Sequence, residues 1–400
     1  MWTHTMGAQN CYRKKNKKNA ILLSVSYESV DKLQNLLADN VFNYTNDKKK
    51  AAGRALGTFL EIITYYLIKS WNLDTFAAIE RPLPEFANDE ITHNVEFTLH
   101  GNNKIADIKY GTSDIPISGS SIIKKLKLQN SDSKQKSVML IDKDKVIRNA
   151  CTLLSNDKTV VNAYINTKNS SYSVYELYSK PFAMFECKRV GVEEGSKKGP
   201  QTIEKAKQGS YVARTVSALQ RIRKSDGSLA GFLQKSESDY IVDDYYTLLS
   251  KVINSNEKAL LENFILTVGV VSNHGNWFTS ENPNKELKVL AQSYDWLLFL
   301  TDKGISEFIT DLMISPNKKY DAIKMAFQKS YSADKKGNVF TKVKMDYKSD
   351  LALCEYFSDN LSKIETWFNI ISPKMKSLTD LKNELSILSS KNWGTVYGNK

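Results

Sequence analysis

The segment Phe182-Ala-Met-Phe-Glu-Cys-Lys-Arg-Val190 constrains this chain more than any other. Its apolar residues have the bulk of an interior strand, yet it carries Glu186 and Lys188. Strand side chains alternate between faces, so these two project from one side and Cys187 from the other. An ion moved into a protein interior costs several kcal/mol unless it is paired, hydrogen-bonded or held by a metal. The segment therefore predicts a buried sheet with a charged site set into it. Residues 191–199 follow as an exposed, glycine-containing loop. Gln201–Arg223 follows as an amphipathic helix, with Ile203, Ala206, Val212, Val216 and Leu219 near one face.

Periodicity extends the pattern on both sides. Residues 28–42 and 49–70 read as helices, the second with Leu56, Phe59, Ile62, Ile63 and Tyr66 in a buried stripe interrupted by Glu61. Gly53 and Gly57 lie on this helix, spaced to let another backbone approach. Val95, Phe97 and Leu99 alternate with Glu96, Thr98 and His100, and a Gly-Asn-Asn turn at 101–103 leads into Lys104–Tyr110 as a hairpin. Residues 111–135 read as a loop with a short helix. Val160–Ile165 and Tyr172–Tyr178 are strands, with Ser179, Lys180 and Pro181 turning the chain into the Phe182 strand. A mostly helical stretch runs to Phe264. Ile265–Val271 and Tyr294–Leu300 are further strands, and the pattern from about 304 is helical without an obvious strand. The fold class expected is α/β (α+β): a central mixed sheet flanked by helices, with a helical C-terminal region. The expected organisation is a basic arm and helix at 1–48, a core at 49–303 with an insertion at about 111–170, and a helical region at 304–400.

Charge narrows the partners. Lys and Arg number 56 against 44 Asp and Glu, a net charge of +12, which favours polyanions. Clusters at Arg13–Lys18, at Lys48, Lys49, Lys50 and Arg54, and between Lys180 and Lys224 concentrate it. The four cysteines, Cys11, Cys151, Cys187 and Cys354, are scattered without a CxxC pair, and the four histidines lack HExxH spacing. This argues against a zinc site or a disulfide framework and for reduced thiols in the cytoplasm. No apolar segment has the length to span a bilayer, and no GxxxxGK[ST] loop points to nucleotide use.

A carboxylate and an amine two positions apart on a strand suit metal-assisted hydrolysis of a phosphodiester. Mg²⁺ takes oxygen ligands at about 2.0–2.1 Å in an octahedral shell and keeps several waters. Glu186 offers one oxygen and the backbone carbonyl of Cys187 another. Lys188 would hold or polarise the attacking water and offset charge at phosphorus. A second carboxylate on a neighbouring strand is required.

On Glu186-Cys187-Lys188 the chain resembles the PD-(D/E)xK nuclease superfamily, which includes most type II restriction endonucleases. The resemblance covers residues 50–300, whose expected order of helix, strands, ExK strand, helix and strand agrees with the αβββαβ core of that family. It implies a restriction-endonuclease-like core and a Mg²⁺-dependent endonuclease cutting double-stranded DNA to 5′-phosphate and 3′-hydroxyl ends. It also implies a homodimer on a palindromic site, with a cognate DNA methyltransferase in the same system but not as a stable subunit. A repair or recombination nuclease of the same superfamily, or a non-catalytic DNA-binding protein, are the alternatives. For the acidic partner, Asp107 in Lys104-Ile-Ala-Asp-Ile-Lys-Tyr110 comes first, with Ala106 where the family has proline; Asp114 and Glu176 are the other candidates. Family members often carry a glutamate on the first core helix, and Glu61 matches that position. The implied catalytic set is thus Asp107, Glu186, Lys188 and Glu61, with Asp107, Glu186 and Cys187 at the metal. Gln208 and Tyr211, on the helix after the motif, are assigned to packing. Lys197, Lys198, Lys205, Arg214 and Arg221 are expected at DNA phosphates.

Overall fold

The computed structural model describes residues 30–42, 47–86, 94–128, 134–156, 159–191, 211–274, 285–314, 316–331 and 338–397. Two helices open the described chain, α1 (Val30–Asn40) and α2 (Lys48–Ser70). Asp47 starts α2 by accepting the Lys50 N–H at 3.2 Å, satisfying one of the amides a helix N-terminus leaves open. The stripe expected on α2 is buried, from Ala55 through Phe59 and Ile63 to Ile68.

The strands are, in chain order, β1 (Ala77–Arg81), β2 (Val95–Lys109), β3 (Ile117–Ser118), β4 (Lys134–Gln135), β5 (Met139–Ile141) and β6 (Val146–Arg148). Then come β7 (Cys151–Ser155), β8 (Thr159–Asn166), β9 (Ser171–Gly191), β10 (Leu219–Arg223), β11 (Leu229–Gln234) and β12 (Tyr240–Asp244). The last are β13 (Leu266–His274), β14 (Trp296–Leu300), β15 (Lys344–Asp346) and β16 (Phe368–Ser372). The fold is mixed α/β. Its central sheet runs β16-β14-β13-β9-β8-β7-β4, with β1 and β2 joined through β2 to β9. β13 lies parallel to β9 and to β14, whereas β2 and β8 lie antiparallel to β9. Smaller sheets, β10-β11-β12 and β15-β6-β5-β3, flank it.

Five expectations change, the first being the mostly helical stretch to Phe264, which contains the paired strands β11 and β12. The hairpin expected at 101–103 is one uninterrupted strand, β2. The turn expected at Ser179–Pro181 is also absent: β9 runs straight through it, with register irregularities around His100 opposite Pro181 absorbing the missing proline amide. Of the helix expected over Gln201–Arg223, residues 211–216 are helical, but Leu219–Arg223 forms β10 and pairs with β11. The 304–400 region contributes β15 and β16, and β16 extends the central sheet by pairing with β14. The same region is locked inward by Asp350, fully buried on the helix Tyr347–Asp359. Its carboxylate accepts from Tyr66 Oη at 2.7 Å, Lys69 Nζ at 2.9 Å and Thr167 Oγ1 at 2.7 Å. One apolar cluster accordingly extends from Leu33 to Val396. The 1–20 arm, the 191–199 loop apart from Gly191, and the first part of the 201–223 helix lie outside the described residues. Among the described residues, no helix is long and apolar enough to cross a membrane.

Candidate active site

β9 brings Glu186 and Lys188 to one face as its alternation dictates. Cys187 and Arg189, of the other parity, meet α2: Cys187 Sγ lies 3.5 Å from Thr64 Oγ1, and Arg189 Nη1 donates to the Gly53 carbonyl at 2.7 Å. On the opposite face, Met184 clusters with Val212 and Val216, and Val190 with Ala213. Glu186 sits between these contacts and is 1% exposed. Its Oε1 pairs with Lys188 Nζ at 2.7 Å, and its Oε2 receives the Glu96 backbone N–H at 3.4 Å.

Register supplies the rest. Ile79 pairs with Phe97, and Phe97 with Phe185; Glu80, Glu96 and Glu186 each adjoin one of these paired residues and so lie side by side across β1, β2 and β9, Glu80 with a left-handed φ of 50° that takes it out of the ladder. Gly269 of β13 continues the row beyond Glu186. A Cβ on Gly269 would fall 2.7 Å from the Tyr294 ring, so the glycine is what lets that buried tyrosine pack beside Glu186. Burial, with Glu186 and Cys187 nearby, pushes the Tyr294 hydroxyl well above its ordinary pKa.

Lys342, from the turn before β15, reaches into this row. Its ammonium lies 3.2 Å from Glu61 Oε2, 3.2 Å from Glu80 Oε1, and in hydrogen-bond contact with Glu96 Oε2. Its side chain is 6% exposed. Burial pushes the Glu61 carboxyl upward, opposed by the attraction and hydrogen bond of Lys342 and, more weakly, by Lys188. Access increases outward through the cluster, from enclosed Glu186 to Lys188, whose side chain is 27% exposed, and Glu80, at 52%. A cavity of about 380 Å³ opens at the Glu61 side, lined by Arg54, Thr58, Tyr331, Asn338 and Thr341 among others. Gly57 also lines it and faces open space, while Gly53 approaches the Gln34 side chain; neither admits a second backbone.

The residues expected in the site thus divide. Glu186, Lys188 and Glu61 converge. Asp107 does not: it pairs with Lys104 and Ser173 on an exposed stretch of β2, opposite Ser173 and not Glu186. Eleven positions separate it from Glu96, roughly 36 Å of strand. Glu176 is ten positions from Glu186 on the same strand and as remote, and Asp114 binds the Gly111 N–H at 2.7 Å. Cys187, expected to offer its backbone carbonyl, turns its thiol toward α2. Arg221 is buried rather than offered to phosphate: Nη1 donates to the Ala291 carbonyl at 2.8 Å, and the guanidinium lies 4.2 Å over the Tyr245 ring and 3.8 Å from Asp295. Arg214 and Arg221 line a polar cavity of about 340 Å³ with Gln292 and Ser293. Tyr211, within the helical residues 211–216, is exposed, and Gln208 lies outside the described residues, as do Lys197, Lys198 and Lys205.

Sequence reasoning missed Glu80, Glu96 and Lys342. Only Glu96 left a signal, as the polar member of the Val95-Glu96-Phe97 alternation, which register alone turns into a partner for Glu186. Among the described residues, no group of three or more His, Cys, Asp and Glu side chains is arranged to hold a metal as it stands, and the space among three of the glutamates is taken by the Lys342 ammonium. The donor set is nonetheless all carboxylate oxygen and already gathers a cation, which fits a hard ion such as Mg²⁺. No protein-family model matches the chain, and no characterised protein or solved structure matches it.

Proposed function

We propose that the chain is a Mg²⁺-dependent endonuclease of the PD-(D/E)xK kind, a sequence-specific restriction enzyme acting on double-stranded DNA. One observation carries the reading: Glu186 and Lys188 pair at 2.7 Å on an interior strand, with Glu96 opposite Glu186 on the antiparallel neighbour. The order of elements supports it. Helix α2, antiparallel β1, β2 and β9, the 211–216 helix and then β13 parallel to β9 follow the αβββαβ order, with residues 110–170 inserted between the second and third core strands. The net charge of +12 suits a polyanionic substrate.

Glu96 and Glu186 would hold the cation, with Glu61 and Glu80 at the outer rim. Bound Mg²⁺ supplies charge neutralisation at the phosphate and a more acidic water. Lys188, whose ammonium pairs with Glu186 and whose side chain is partly exposed, would orient a water for in-line attack and donate to the phosphate oxygens. Arg54, which lines the cavity with Glu61, would meet the DNA backbone. The same reading carries a homodimer on a palindromic site and a companion methyltransferase.

One observation favours a second reading, a DNA-binding protein without catalysis: Lys342 neutralises the carboxylates that a metal would need. A plasmid digest decides between them. Purified protein with Mg²⁺ yields discrete fragments, EDTA abolishes them, and Glu186→Ala and Lys188→Ala do not cut. DNA binding with no cleavage under any divalent cation supports the second reading.

A further inference from the structure

Lys342 stands apart from the other lysines among the described residues. Its ammonium is nearly enclosed and faces three carboxylates that come from three different elements, α2, β1 and β2. Its backbone is pinned independently of that contact. Asn149 Nδ2 donates to the Lys342 carbonyl at 3.0 Å, and the Asn149 N–H donates to the Val343 carbonyl at 2.9 Å. Thr341 and Lys344 close the turn on either side, the Thr341 N–H reaching the Lys344 carbonyl at 2.8 Å and the Lys344 N–H reaching Thr341 Oγ1 at 2.9 Å. The mobile part is therefore the four-carbon stem and its ammonium, not the chain that carries them.

Resting on the nuclease reading, we propose that Lys342 is a positioning residue that serves as the resident cation of the metal-free site. It keeps Glu61, Glu80 and Glu96 gathered against their mutual repulsion, and its ammonium swings out when a divalent ion enters. The two cations compete because both need Glu96: the Lys342 nitrogen already contacts its carboxylate and fills the space between it and the rim acids Glu61 and Glu80, and like charges at such a separation repel strongly. An exit is at hand, since Thr341 and Phe340, adjoining Lys342, line the cavity of about 380 Å³ beside Glu61. Swinging the stem into that space leaves the pinned turn as it is. Apparent metal affinity is then reduced by the fraction of time the amine is seated. Lys188 has a different task, because it is held by Glu186 and faces none of these three oxygens within ion-pair distance.

The test is amine acetylation of the intact chain read by mass spectrometry, with and without Mg²⁺, paired with Mg²⁺ titration calorimetry of the wild type and of Lys342→Met. Lys342 is expected to acetylate slowly in the metal-free protein and several-fold faster with Mg²⁺, while Lys319, paired with Glu355 and Asp359, keeps its rate. Lys342→Met is expected to bind Mg²⁺ about tenfold more tightly than wild type, the gain from removing a competitor seated about nine-tenths of the time. If Mg²⁺ binds to the wild type while Lys342 stays shielded, the displacement is overturned and the nuclease reading stands. If the variant binds with equal or weaker affinity, the inference is likewise overturned. If neither protein binds a divalent ion, both the inference and the metal-dependent reading fall. The acetylation arm uses the unmutated chain, so the proposal remains testable even if Lys342→Met does not fold.

Discussion

Glu96 and Glu186 face each other across neighbouring antiparallel strands, the backbone N–H of Glu96 lying 3.4 Å from Glu186 Oε2. Under the nuclease proposal, Glu96 is the acid that would complete the site of Glu186 and Lys188. Under the proposed chemistry, Glu96→Gln lowers the cleavage rate at least about a hundredfold, the scale of losing one directly acting group. Asp107→Asn leaves the rate unchanged. A plasmid-nicking assay on both variants checks the assignment, and the reverse ranking would return the role to Asp107.

Asp350 is a buried acid apart from the glutamate row. Fully buried, it accepts from Tyr66, Lys69 and Thr167 and joins α2 to the C-terminal region. Removing one partner of such a group strands the others, so Asp350→Ala costs about 3–5 kcal/mol. Urea unfolding of the wild type and the variant measures it; a loss under about 1 kcal/mol would contradict the role given to this carboxylate.

His100 ties acid stability to the strand that carries Glu96. It is fully buried between the Tyr178 carbonyl at 2.8 Å and Thr98 Oγ1 at 2.7 Å, and burial holds its pKa well below 6.5, with Arg81 adding to the effect. In the unfolded chain the imidazole protonates near 6.5, whereas in the fold it stays neutral. Its contribution is therefore intact above that value and declines as the pH falls below it, by at most about 1.4 kcal/mol per pH unit. Thermal melts from about pH 8 down to about pH 5, the range in which an unperturbed imidazole changes charge, should show the decline. The same series on His100→Gln should show a smaller one, and an equal decline in both proteins would assign the acid sensitivity to other groups.

Gly269 lies beside Glu186 and under the Tyr294 ring, where a methyl group would fall 2.7 Å from the ring. Gly269→Ala therefore overpacks the interior at a cost of about 1–3 kcal/mol. Because the ring must shift next to the site, the variant also loses cleavage activity. A melt combined with a digest tests both, and a variant as stable and active as wild type would show that the ring yields freely.

Much of the centre was legible in the amino-acid order, because burial makes its own pattern. Phe182–Val190 announced an interior strand carrying ions, and the stripe on α2 announced a core helix with Glu61 set into it. The misplaced acid traces to one glycine. Gly101 suggested a turn, but a Cβ there would fall 2.4 Å from Trp393, so this glycine serves close packing in a continuous strand. With β2 folded back at 101, Asp107 would have been carried toward β9; unbroken, the strand places Glu96 there instead. Lys342 left no trace, since nothing local distinguishes it among 56 basic residues and only the tertiary fold brings it to the acids. β10 was hidden for a similar reason: Leu219–Arg223 continued an apolar spacing suited to a helix, and its pairing with β11 depends on residues further along the chain.

The position of Lys342 in the chain also sets an order of assembly. Glu61, Glu80 and Glu96, the three acids that Lys342 contacts, all precede it by more than two hundred residues, so a ribosome delivers them before it delivers the amine that gathers them. A partly synthesised chain would hold its glutamates without this counter-charge, pushing one another apart until residue 342 arrives. This acid cluster would thus be set in order only late in translation, when the segment that carries Asp350 is also emerging to join α2.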